Sequence, residues 1–204
     1  HTKLPYKEDA ALSGAHPYDV SKSCADLISH TYFNTYGLPV GVTRCGNIFG
    51  PGDFNFSRIV PDTIRSALSG RTLAIRSDGK FVRDYIYVDD VVGGYLSLAR
   101  NLHRLKLSGQ AFNFSCETPF SVLALIKRIY RVCGKSPKYK ILNQAKYEIK
   151  NQFLSSRKAR RILGWKPRYR LEESLRKTVS WYRDYLYAKR KKRSTEESKK
   201  FPVT

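Results

Sequence analysis

Pro17-Tyr-Asp-Val-Ser-Lys-Ser-Cys-Ala-Asp-Leu-Ile-Ser-His-Thr-Tyr-Phe-Asn-Thr-Tyr36, then Gly37-Leu-Pro-Val40-Gly-Val-Thr-Arg44-Cys-Gly46, is the stretch whose reading decides the fold. Proline suits the first turn of a helix, and Gly37 followed by Pro39 stops one, so a helix is expected over Pro17 to Tyr36. Val20, Cys24, Leu27, Ile28 and Thr31 recur at helical spacing and predict its buried stripe. Val40 to Arg44, a short β-branched run, reads as a buried parallel strand ending at Gly46.

Working outward, residues 1 to 16 read as an entry loop, and 46 to 53 as a turn-rich stretch. An amphipathic helix follows from about Pro61 to Leu68. Strands are expected at Leu73 to Ile75 and Val82 to Val88, flanking a Ser77-Asp78-Gly79 turn, with a helix opening at Asp89. Ala111 to Phe114 reads as a strand, Ser121 to Cys133 as a helix, and Ser156 to Leu163 and Leu171 to Leu186 as the last two helices. Strands alternate with helix-length connections, which makes the class α/β with at least a partly parallel sheet.

The chain has 204 residues, 41% hydrophobic and 27% charged, as in an ordered globular protein. Its longest uninterrupted apolar stretch, Val122 to Ile126, is too short to span a bilayer, and no secretory leader is visible. It has no methionine and opens on His1, so the expectation is a chain processed, tagged or cut from something longer. Thirty-eight basic against seventeen acidic side chains give +21, a field that attracts phosphate in nucleotides, nucleic acid or an anionic surface. Residues 189–204 hold seven Lys/Arg and two Glu; low in apolar residues, they read as a disordered basic tail. Cys24, Cys45, Cys116 and Cys133 form no CxxC pair and the four histidines no HExxH, so no metal is indicated. Reduced thiols point to the cytoplasm.

Tyr18 and Lys22, four residues apart, share one helix face roughly opposite the predicted apolar stripe. An ammonium beside a phenol stabilises the phenolate and lowers its pKa, which makes the tyrosine a usable general base; an ordinary surface pair is the plainer alternative. Arg83, on a strand running into an acidic helix start, suits bidentate phosphate binding or a salt bridge with Asp84 or Asp89. Asn47 follows the end of a parallel strand, where α/β sheets place ligands, and is equally a common turn residue. Arg58 is a further anion contact or a solvated charge. Nothing matches GxGxxG or a P-loop.

In order along the chain stand YxxxK, Arg44-Cys-Gly-Asn-Ile-Phe-Gly-Pro-Gly-Asp53, Val82-Arg-Asp-Tyr-Ile-Tyr-Val-Asp-Asp90, Ala111-Phe-Asn-Phe-Ser115 and Lys158-Ala-Arg-Arg-Ile-Leu-Gly-Trp-Lys-Pro167. This order resembles the extended short-chain dehydrogenase/reductase family of nucleotide-sugar epimerases and dehydratases, from about Leu4 to Leu186. His16 to Leu27, Asn55 to Ile59 and Ile75 to Phe81 look most like the CDP-glucose 4,6-dehydratases.

The resemblance implies the C-terminal portion of an extended Rossmann-type, doubly wound fold with a small α/β substrate-binding lobe. Residues 1–48 would supply the catalytic helix and following strand. Residues 49–188 would form the substrate lobe, interleaved with the last Rossmann elements at about 82–115. It implies NAD as cofactor, held by Tyr18, Lys22 and backbone near Cys45, with Tyr18 and Lys22 catalytic. Asn47, Arg58 and Arg83 would bind a nucleotide-diphosphate sugar. The reaction implied is C4 oxidation, water loss across C5–C6 and hydride return to C6. Ser155 stands where many of that family carry Asp. The chain starts too late to hold the family's glycine-rich turn and is expected to be inactive alone; the full-length protein is expected to be a homodimer. A 4-epimerase of the same family, and a non-catalytic basic protein gripping RNA or an acidic partner, are the alternatives; nucleic acid is the lesser partner reading.

Overall fold

The computed structural model describes residues 3–14, 16–145 and 148–200, with side chains of the last helix through residue 188. Helix α1 (Pro17–Tyr36) leads into strands β1 (Val42–Cys45) and β2 (Asn47–Phe49), then α2 (Ile59–Ser69) and β3 (Leu73–Ile75). Next come β4 (Val82–Arg83), β5 (Tyr85–Tyr87), α3 (Val88–Asn101), β6 (Ala111–Phe114), β7 (Phe120–Ser121) and α4 (Val122–Cys133). Strands β8 (Tyr139–Ile141) and β9 (Asn151–Gln152) precede α5 (Arg157–Leu163) and α6 (Leu171–Lys200). No described helix is long and apolar enough to cross a membrane.

The helix ends follow local chemistry. Gly37 adopts a left-handed φ of 66° and its N–H returns to the Phe33 carbonyl, closing α1 where the sequence predicts. Ser121 caps α4 by accepting the Ala124 N–H at 3.2 Å, within a residue of the expected start.

Pairing is mostly parallel: β1 with β6, β2 with β5, β3 with β8, and β4 with β9, while β4–β7 is antiparallel. The α/β class is therefore observed, with three corrections in detail. The expected strand Val82 to Val88 is broken at Asp84, because β4 and β5 join different sheets. The stretch 46 to 53 is only partly turn, since Asn47–Phe49 pairs with β5. The segment from 189 is helical through Lys200 rather than a disordered tail. Lys, Arg and Glu are good helix formers, and no Gly or Pro interrupts them before Pro202. Residues 201–204 lie outside the described residues.

Two cores form. One gathers Ile64 of α2, Leu73 and Ile75 of β3, Leu125, Ile126 and Ile129 of α4, and Leu175, Val179 and Tyr182 of α6. The other gathers Val91 and Leu98 of α3, Phe112 and Phe114 of β6, Ala159 of α5 and Trp165. Strand alternation lets β5 serve both: Tyr85 and Tyr87 enter the first core, Ile86 the second.

The predicted buried stripe of α1 is the largest correction. Val20, Cys24, Leu27, Ile28 and Thr31 are all exposed, and the helix's one buried residue is Asp26. Its packed face is polar because Asp26 meets the Arg44 guanidinium as a fork, Nε–Oδ2 2.7 Å and Nη2–Oδ1 3.0 Å. Arg44 also donates to the Glu8 carbonyl at 2.9 Å, so helix, strand and entry segment close around one ion pair.

Candidate functional site

A cleft of about 1060 Å³ opens between the first turn of α1, the carboxyl ends of β1 and β3, the start of α2 and the side chains of Leu142, Gln144, Glu148 and Gln152. Tyr18, Cys45, Asn47, Arg58 and Arg83 all line it, although they span 66 positions of sequence, 18 to 83. Lys22 does not; it stands one turn behind Tyr18, its Nζ 5.4 Å from the ring centroid. Tyr18 is 68% exposed, at the rim, so its hydroxyl is open to a ligand in the cleft.

The floor is set by where β1 ends. Burial pushes the Cys45 thiol up to about 11, so it stays protonated, and the site gains backbone rather than a nucleophile there. Gly46 permits a close approach: a Cβ there would stand 3.1 Å from the Asp84 carboxyl carbon, tighter than ordinary van der Waals contact. Asp84 is almost wholly buried, accepts the Ser115 hydroxyl, and leaves Oδ1 without a hydrogen-bond partner. Burial pushes its carboxyl above the ordinary carboxylate range, favouring the neutral acid. The Asp84 carbonyl accepts the Asn47 N–H at 2.7 Å, which fixes Asn47 at the cleft edge. Burial also raises the Tyr85 phenol to about 12, so it lines the cleft as a neutral hydroxyl.

Arg83 is held by its own surroundings. Its Nη1 donates to the Val82 and Lys150 carbonyls at 3.0 and 3.1 Å, and Glu148 lies 3.5 Å from Nη2. Neither Asp84 nor Asp89, the partners sequence suggests, takes that role. Arg58, flanking the start of α2, pairs with Asp53 at 3.2 Å and is otherwise exposed. A third guanidinium, Arg76 at the end of β3, donates to the Ser57 carbonyl at 3.0 Å and faces the same cleft. Sequence reading passed over Arg76, though the signal used for Arg83, a cation at a strand end, applies to it equally. It also passed over Gln144, Glu148 and Gln152, whose segment has no period to mark it. Ser155 is turned inward, its hydroxyl on Glu117 and its N–H on the Tyr6 carbonyl. The arrangement offers a phenol with a neighbouring ammonium at one end and three guanidinium groups beyond, which suits a ligand joining an alcohol to a polyphosphate.

The chain has relatives among known proteins. The model of the NAD dependent epimerase/dehydratase family matches residues 1–114. A trifunctional UDP-glucose 4,6-dehydratase/3,5-epimerase/reductase of Arabidopsis thaliana is 32% identical over 177 residues, 86% of this chain and 26% of that protein. A UDP-glucuronate 4-epimerase of Thermodesulfobacterium geofontis is 30% identical over 188 residues, 89% of this chain and 55% of that protein. The crystal structure of dTDP-glucose 4,6-dehydratase from Bacillus anthracis in complex with NAD superimposes with a TM-score of 0.77 at 28% identity, covering 88% of this chain and 56% of that one. The chain thus spans from about a quarter to just over half of the length of these relatives. The matched region carries the Tyr18 helix, Arg58, Arg83 and the β1–β6 pair. With the family model covering more than half of its 204 residues, the chain belongs to the NAD dependent epimerase/dehydratase family.

Proposed function

We propose that the chain carries the catalytic helix and substrate lobe of a nucleotide-sugar 4,6-dehydratase, dividing at about residue 48 between the two. The observation that carries this reading is the single cleft joining Tyr18 to Arg58, Arg76 and Arg83. Tyr18 takes the proton from the sugar 4-hydroxyl, and Lys22 holds its ammonium against the phenol ring. Asn47, Arg58 and Arg83 position the sugar diphosphate by charge-assisted hydrogen bonds.

The residues fit the nicotinamide end of NAD, because the open backbone at Cys45 and Gly46 shares the cleft with Tyr18. Bound NAD supplies a hydride acceptor that later returns the hydride. Tyr18, Lys22 and the Cys45 backbone would hold that end; no glycine-rich turn for the pyrophosphate occurs in these 204 residues. For that reason the chain alone is inactive in this proposal. The exposed stripe of Val20, Cys24, Leu27 and Ile28 would receive a second copy, giving a homodimer, in the cytoplasm where the cysteines remain thiols.

The sequence itself favours a CDP-glucose-like substrate, whereas the relatives above are named for UDP or dTDP sugars. The UDP-glucuronate relative supports the second reading, a 4-epimerase. The test is calorimetric titration of CDP-, UDP- and dTDP-glucose into the chain and into Arg83→Gln. Saturable binding of one of them, weakened about tenfold or more in the variant, is expected from loss of a charge-assisted contact. Binding of none sinks the reading, and a 4-keto product formed by residues 1–204 alone with NAD sinks the inactivity.

A further inference from the structure

Helix α6 does more than close the lobe core. Leu175, Val179 and Tyr182 bury one face of its first half, and beside that face Trp181 and Tyr185 form a half-buried aromatic cluster. Trp181 and Tyr185, four residues apart, stack with ring centroids 5.5 Å apart and planes 3° from parallel. Phe54, from the loop after β2, lies over both at 5.6 and 5.0 Å. Phe54 nevertheless stays 54% exposed, and Tyr187, next along the helix, is 72% exposed. None of these four rings lines the cleft, so the nucleotide-sugar reading leaves them unused.

Directly after them the same helix continues through Lys189-Arg-Lys-Lys-Arg193 to Lys199 and Lys200, against Glu196 and Glu197 only. Two exposed rings, Phe54 and Tyr187, followed by a dense cationic run supply the two parts that single-stranded nucleic acid requires: flat faces on which bases stack, and charges that displace counterions from phosphates. We propose that the outer end of α6, together with Phe54, binds single-stranded nucleic acid. An anionic bilayer is the weaker match, because residues 189–200 contain no large apolar side chain to enter the acyl region. A purely acidic protein segment would satisfy the charges and leave the rings idle. The proposal is independent of the cleft and of any activity there.

The test is fluorescence anisotropy of the 204-residue chain with labelled oligo(U) and oligo(dT) of about twenty nucleotides across a salt series. Changing Lys189, Arg190, Lys191, Lys192 and Arg193 together to Gln should weaken binding at least about tenfold and flatten the log–log salt slope by up to about 3.5. Phe54→Ala should weaken binding about 5- to 100-fold and leave that slope unchanged. Tyr187→Ala, whose ring has little packing to lose, repeats the measurement should Phe54→Ala reduce the folded fraction. Wild-type affinity retained by the five-fold variant, or by both ring variants, overturns the proposal. So does failure of the parent chain to bind either oligonucleotide, and binding of phosphatidylserine vesicles in its place would assign the cationic end to an anionic bilayer.

Discussion

Replacing Asp26 by Ala should unfold the chain far more readily than replacing its neighbour Leu27, the reverse of what hydrophobicity alone suggests. Asp26 is 7% exposed and holds the Arg44 guanidinium through two bonds of 2.7 and 3.0 Å, with His30 Nε2 a further 3.4 Å away. Removing the carboxylate leaves a mostly buried guanidinium with the Glu8 carbonyl as its recorded remaining acceptor. Breaking a buried pair from one side costs about 3 to 5 kcal/mol. The Arg44 side chain keeps 19% of its surface exposed, so water can reach it and the lower end, about 3 kcal/mol, applies. For a chain of this length that corresponds to a Tm lower by about 6 to 12 °C. Leu27 is 55% exposed, and Leu27→Ala should cost less than about 0.5 kcal/mol. Urea titrations followed by circular dichroism compare the two directly. A Leu27→Ala cost larger than that of Asp26→Ala would refute the packing of α1 by its polar face.

Three further outcomes follow from the same contacts. Asp84→Asn should gain stability relative to the parent as pH rises. The raised native pKa means the folded state holds a proton the unfolded chain releases, so the parent loses stability between the ordinary carboxylate range and the raised value. A flat difference between the two across acid-to-neutral melts counts against a raised Asp84 pKa. Gly94→Ala should cost about 1 to 3 kcal/mol, because its Cβ would come within 2.7 Å of the Phe114 ring; a neutral melt would show that α3 does not press on β6 there. Asp90→Ala should cost about 3 kcal/mol, since its carboxylate accepts the Arg168 and Tyr169 N–H groups at 2.7 and 3.4 Å; backbone exchange at 168 and 169 should quicken with it, and unchanged protection refutes the contact.

Where a local rule governs an element, the sequence shows it. Gly37 and Gly134 end helices because each takes a positive φ, and Ser121 starts one by capping. Strands β1 and β6 could be read as the short runs Val40 to Arg44 and Ala111 to Phe114, while their pairing with each other could not. Strands β8 and β9 escaped because two or three residues form no pattern, and their pairing depends on partners 66 or more positions away, such as Leu73↔Tyr139 and Val82↔Asn151. The same holds for Glu148, which reaches Arg83 only because β9 lies beside β4. The end of α6 was ambiguous for another reason: a Lys/Arg/Glu run has high helix propensity and low hydrophobicity, and composition alone weighs only the second.

The misread face of α1 bears on the site itself. Had the apolar stripe packed inward, Tyr18 and Lys22, nearly opposite on the wheel, would point into bulk solvent, away from β1. With Asp26 clamped to Arg44 instead, eight residues at about 100° each place Tyr18 about 80° round from the clamp. That is the flank of the helix beside the end of β1, where Tyr18 joins Cys45 and Asn47 along one cleft wall. The ion pair therefore sets the rotation of the helix that presents the phenol. It also leaves Val20, Leu27 and Ile28 facing outward. Tyr18 orientation and the outward stripe are thus two consequences of one carboxylate, so a change at Asp26 should disturb ligand binding at the cleft as well as stability.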